Sequence, residues 1–150
     1  MFHELLAGRN KTQLSDNEIR RAVSTFLGLD KKAPVRYEQG ARTSFRPPTA
    51  DNSDAEIVFG EDFYPGTGVV DPNSYMGVQA AAAHELSHYY RWMDKKALDG
   101  EALQYLDEAL TSLDAIARFA DQLSQLDIRQ LASDAAMRLQ LHVTQLAEKA

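Results

Sequence analysis

The chain has 150 residues, 44% hydrophobic, 25% charged and 9% aromatic, with a net charge of −6. That length suits a single domain, 1–150, with a real core, and an acidic chain without a basic run excludes a nucleic-acid binder held by electrostatics. There is no cysteine, which excludes disulfides and thiolate zinc sites and leaves histidine and carboxylate to hold any metal.

Residues 1–11 lack a cationic start followed by a long apolar run, and no stretch approaches the length of a membrane helix. A cytoplasmic protein with no membrane partner is expected. Ser15-Asp16-Asn17-Glu18 is a capping box. It opens a helix with apolar Ile19, Val23, Phe26 and Leu27, ending near Gly28. Three β-prone runs follow at 34–38, 42–46 and 55–59. Gln39-Gly40 and a turn-rich stretch from Pro47-Pro48 to Asp54 separate them. Pro65, Gly66, Gly68 and Pro72 mark a loop. A helix is expected over 74–93, with Ala80 to Ala83 small enough for close packing. Asp99 reads as the N-cap of a helix over 100–122, and Ser124 to Asp127 as the cap of a last helix to about 149. The order gives an α+β fold: a small three-stranded sheet with helices on one side.

The helix expected over 74–93 carries chemistry. His84-Glu85-Leu86-Ser87-His88 places two imidazoles four residues apart on one helical face, with a carboxylate between them. Both rings can reach one metal ion. Glu85, about 100° around the axis, can approach an activated water without being a ligand. The pattern reads as a zinc-hydrolase site with Glu85 as general base. His3-Glu4-Leu5-Leu6-Ala7 starts alike but lacks the second histidine, and should bind nothing. The plain alternative is a surface helix with two unrelated histidines.

A catalytic zinc site needs a third protein ligand. Residues 89–99 hold neither glycine nor histidine, which excludes a His-x-x-Gly-x-x-His continuation. The next helix offers Glu101 and Glu108. On its wheel Leu103, Leu106, Leu110 and Leu113 form an apolar stripe, read as core. Asp107, Thr111, Asp114 and Arg118 form a polar stripe, read as solvated. Glu108 falls between, with Glu101, Tyr105, Ser112 and Phe119. Among partly buried neighbours a carboxylate needs a partner, and a cation on the facing helix would be one. The bland reading pairs Glu108 with a surface Lys or Arg. Glu101 suits the helix N-terminus.

His84-Glu85-x-x-His88, followed twenty residues later by Asp107-Glu108-Ala109-Leu110-Thr111-Ser112, resembles the gluzincin metallopeptidases. The element order resembles the compact minimal zincins, including the IrrE/ImmA-like peptidases that cut transcriptional repressors. The resemblance covers roughly residues 55–115. It implies zinc held by His84, His88 and Glu108, and a peptide or protein substrate. In the family pattern an asparagine stands at Asp107, and at Ser112 an aspartate that orients a ligand imidazole. The resemblance also makes 55–59 the edge strand that aligns an extended peptide.

In the mechanism this implies, Glu85 takes a proton from the attacking water and delivers it to the leaving amine. The oxyanion needs a further donor, for which Tyr89, Tyr90, Tyr105 and His142 stand open. Each tyrosine is more often a packing residue, and His142 more often a partly buried helix histidine. Ile128, Leu131, Ala135, Leu139 and Leu146 read as core rather than a dimer face. Two rivals remain. Glu85-x-x-His88 is half of a di-iron motif, but no second Glu-x-x-His exists. A non-catalytic zincin-like interaction module is the other, in a phage, defence or toxin–antitoxin setting.

Overall fold

The structure is a computed structural model that describes residues 8–66 and 76–149. The described residues form four helices and a three-stranded mixed sheet, the α+β arrangement expected. Helix α1 is Asp16–Leu29. The Glu18 amide donates to Ser15 Oγ at 3.2 Å, and the Ser15 amide donates to Glu18 Oε1 at 2.9 Å. This is the reciprocal box that silences two orphan donors of the first turn.

The strands are β1 Val35–Tyr37, β2 Ser44–Arg46 and β3 Glu56–Phe59. Their spatial order is β1-β3-β2. Strand β1 runs parallel to β3, with Val35 opposite Ile57, and β2 runs antiparallel, with Phe45 opposite Ile57. The strand expected at the edge, 55–59, is therefore the central one. Its Ile57, Val58 and Phe59 are all fully buried, and only a middle position covers such a run on both sides. The short strand Ser44-Phe45-Arg46 takes the edge instead. Phe45 packs on Tyr89 and Trp92, with ring centroids 5.9 and 5.7 Å apart. The core gathers around Phe26, Phe59 and Phe63, with Phe26 stacked 5.1 Å from Phe63.

Helix α2 is Val78–Met93, beginning after Gly77 rather than at Ser74, which lies outside the described residues. A glycine cap offers no side chain, and its amide is met by Gln130 Oε1 at 2.8 Å. Ala80 to Ala83 are all buried, so the helix lies close to its neighbours as expected. The next helix starts differently from the expectation. Gly100, at φ 97°, caps a 3-10 turn, Glu101–Leu103, and Asp99 is not the cap. Helix α3 is Gln104–Arg118 and stops short of 122, because Phe119 and Leu123 fold back into the core. Helix α4 is Gln125–Lys149. Ser124 caps it as expected: Asp127 N donates to Ser124 Oγ and Ser124 N to Asp127 Oδ2.

The wheel over 103–118 departs from the expected burial in part: Leu106 and Leu110 are half-buried, and Arg118 is exposed as read. Leu103 and Leu113 are exposed, whereas Ala109, Thr111, Ser112 and Ala115 are fully buried. The inner face is small and polar because α2 and α4 bring hydrogen-bonding groups against it. Asp107 and Thr111, read as solvated, are held there by Arg91 and by the Asp107 carbonyl. On α4, Leu131 and Ala135 are buried but Leu139 and Leu146 are exposed, contrary to the core expectation. By helical phase they share the side of Ala135 but lie further toward the C-terminal end of the helix. Among the described residues no helix is long and apolar enough to cross a membrane.

Candidate metal centre

Helix α2 turns His84 and Glu85 inward, 4% and 7% exposed, with His88 half-buried beside them. The ligand atoms of these three side chains lie within 4.8 Å of one another, a group able to hold a metal ion. The two rings meet edge to face at 4.7 Å. The four-residue spacing does this by itself.

Helix α3 brings Glu108 to the same point. Its Oε2 lies 2.7 Å from His84 Nε2 and 2.9 Å from His88 Nε2. The wider surroundings repeat the spacing on each helix. The pairs are His84 and His88 on α2, Glu108 and Ser112 on α3, and Asp134 and Arg138 on α4. Each is separated by four residues, so each helix presents one residue per level. At one level His84 Nδ1 is 2.8 Å from Ser112 Oγ, which donates to Asp134 Oδ2 at 2.6 Å. At the other, Glu108 Oε2 is 2.9 Å from His88 Nε2 and 3.6 Å from Arg138 Nη1. Arg138 Nε closes the set by donating to both oxygens of Asp134 at 3.0 Å.

The hydroxyls fix the ring protons. The single hydroxyl proton of Ser112 goes to Asp134, so Ser112 accepts from Nδ1–H of His84. Thr111 behaves alike. Its hydroxyl donates to the Asp107 carbonyl at 2.7 Å, and its oxygen faces His88 Nδ1 at 3.3 Å. Both Nδ1 atoms therefore carry hydrogen, and both Nε2 atoms point at one carboxylate oxygen. Two ring nitrogens and an anionic oxygen gathered this closely require positive charge between them. Protons or a metal ion supply it. A two-nitrogen, one-oxygen donor set with both imidazoles anchored through the other nitrogen could hold a divalent metal ion. The donors now stand at hydrogen-bond spacing, 2.7 and 2.9 Å, and would have to part to admit an ion between them.

The charges respond to this crowding. Burial opposes protonation of His88, but Glu108, in hydrogen-bond contact, outweighs it with help from Glu85 and Asp107. The imidazole is raised to about 9. Burial pushes Glu108 up, yet the two imidazoles hold it well below the usual carboxylate range. Glu85 is raised, by burial first, against the lowering pull of both histidines. It is thus the carboxylate of the group that takes a proton most readily.

Around this centre lies a cleft of about 400 Å³. Thr43, Ser44 and Phe45 of the β2 edge form one wall, and Gln104, Glu108, Asp134 and Arg138 another. Arg9 lines it from the N-terminal side. Its guanidinium donates to the carbonyls of Asp62, Phe63 and Met76 at 2.9, 2.7 and 2.6 Å.

Of the residues singled out in the sequence, His84, Glu85, His88 and Glu108 come together. Tyr105 and His142 are not among the cleft-lining residues. Tyr89 packs on Phe45, and Tyr90 bonds Asp30 under the Arg118 guanidinium. Glu101 is exposed. His3 lies outside the described residues. Asp134 and Arg138 were not foreseen, because an acidic and a basic residue four apart on a helix read as an ordinary surface ion pair. Comparisons with protein-family models, curated proteins and solved structures found no match for this chain.

Proposed function

We propose that this chain is a zinc-dependent hydrolase of peptide bonds, with His84, His88 and Glu108 as the metal ligands and Glu85 as the general base. The observation that carries the reading is the meeting of both Nε2 atoms at one Glu108 oxygen, 2.7 and 2.9 Å away. When bound, zinc supplies Lewis acidity, polarising a carbonyl and acidifying water. Glu85 sits at hand as the proton acceptor, its affinity for a proton raised by burial, and it returns the proton to the departing amine. An extended peptide pairs with the outer edge of β2, which has no further strand beside it among the described residues; its Ser44 and Phe45, and Thr43 before it, line the cleft. The contacts of Phe45 with Tyr89 and Trp92 hold that edge at a set height above the histidines. Arg138, on the opposite wall, takes the role first considered for Tyr105 or His142, that of donor to the developing oxyanion.

Elemental analysis and peptide hydrolysis test this. Wild type should carry one zinc per chain and cleave an unfolded protein substrate. Glu85→Gln should keep the zinc and lose activity by about 10²- to 10⁴-fold, as expected when a general base is removed. Zinc without cleavage in wild type would favour the interaction-module reading instead. A chain that takes up no zinc on reconstitution would end the metal reading.

A further inference from the structure

We infer that Asp134, acting on His84 through the Ser112 hydroxyl, is the positioning carboxylate of the metal centre. The inference rests on the reading of His84, His88 and Glu108 as ligands. A neutral imidazole has two tautomers, and only the one with hydrogen on Nδ1 leaves Nε2 free to bind a cation. Ser112 by itself cannot impose that choice. Its hydroxyl rotates, and can donate to Nδ1 as readily as accept from it.

The carboxylate removes the ambiguity. Asp134 is 5% exposed, and its Oδ2 takes the Ser112 proton at 2.6 Å. The hydroxyl is then left with lone pairs toward His84 Nδ1, 2.8 Å away. A buried carboxylate needs a counter-ion, and Arg138, one turn along the same helix, gives it a bifurcated hydrogen bond from Nε. That bond also keeps the Asp134 side chain from rotating away. The relay thus runs from a cation on α4, through its carboxylate and a hydroxyl on α3, to an imidazole on α2.

Among the described residues no other aspartate bonds a hydroxyl that faces His84 Nδ1. Asp107 faces His88, 3.8 Å from Nδ1, and one of its oxygens is occupied by Arg91 and the Leu98 amide. Asp114 is engaged with Arg118. The motif thereby extends into a helix that begins about forty residues after the first histidine.

Zinc affinity of the full chain, measured by competition with a chromophoric chelator, tests the relay. Ser112→Ala and Asp134→Asn should each bind zinc about 10- to 100-fold more weakly than wild type. Ser112→Thr, which keeps the hydroxyl, should stay within about threefold. The ¹⁵N shifts of the zinc-loaded protein should show His84 with hydrogen on Nδ1 in wild type, and a mixture of states in metal-binding Ser112→Ala. A simple packing role would not move that signature. Wild-type affinity in Ser112→Ala overturns the proposal, and Ser112→Ala suffices if Asp134→Asn fails to fold. Weakening in Ser112→Ala with none in Asp134→Asn also overturns it, because the carboxylate would then be idle. In either case the ligand reading survives, since wild type still binds zinc. A wild type that binds none overturns both.

Discussion

Helix α3 has two faces that reverse the usual allotment of residue types. Its outer face carries Leu113, 45% exposed, with Leu103, 36% exposed, in the turn before it, while Ala109, Thr111, Ser112 and Ala115 on its inner face are fully buried. An isolated helix driven only by burial would turn the leucines in. Here two neighbours decide otherwise. Helix α2 presents two histidines and Arg91, and α4 presents Asp134 and Arg138. Small and hydroxyl side chains on α3 let the three backbones approach closely enough for those groups to meet. The inner face is therefore a polar interior whose contacts are charge-assisted, and the outer leucines contribute only what half-buried apolar surface gives.

This difference can be broken by unfolding measurements in urea. The largest effect should come from Arg91→Ala. It strips the guanidinium from half-buried Asp107, whose Oδ1 sits 2.7 Å away and would keep only the Leu98 amide, and should cost about 3 kcal/mol, as when a charged acceptor loses its partner. An intact stability in that variant would mean that the inner face is not held by charge. The next effect is in pH, in protein stripped of metal by a chelator. His88 is raised from 6.5 to about 9 in the fold, so its protonated form favours folding. That stabilisation is fully present below pH 6.5 and disappears as pH rises through 9, a loss of about 3 kcal/mol for a shift of that size. A flat profile between pH 6.5 and 9 would show that the imidazole–carboxylate contact is not charged.

Volume supplies a smaller effect. Ala109→Leu forces a large side chain into the close approach of α3 to its neighbours and should destabilise by about 1–3 kcal/mol. The smallest should be Leu113→Ser on the outer face, within about 0.5 kcal/mol of wild type. A large loss in Leu113→Ser would sharpen the comparison in the other direction, by showing that the leucine face is covered in solution.

Different parts of the molecule were legible to different degrees. Ser15 and Ser124 announced their helices because a cap is a local event, settled by three or four residues. His84, Glu85 and His88 were legible because helical spacing alone brings them together. Glu108 emerged from its odd place on a wheel and from a family likeness. The strand order was not legible, since pairing between Val35 and Ile57 is a choice among surfaces and no local pattern encodes it. Misreading Leu103 and Leu113 as core followed from treating hydrophobicity as the only reason for burial. Asp134 and Arg138 stayed hidden for the same kind of reason. Their meaning lies in which helix they face, and sequence spacing gives only that they face together.

Arg9 has a consequence for any shortened form of this chain. One guanidinium ties carbonyls on both sides of the stretch between Phe63 and Met76, and it comes from 75 residues upstream of His84. A protein trimmed past that arginine would keep His84, Glu85, His88 and Glu108. It would lose the side chain that donates to the carbonyls of Asp62, Phe63 and Met76 on one wall of the cleft. Judging such a fragment by its motif alone would credit it with a receptacle that it had lost.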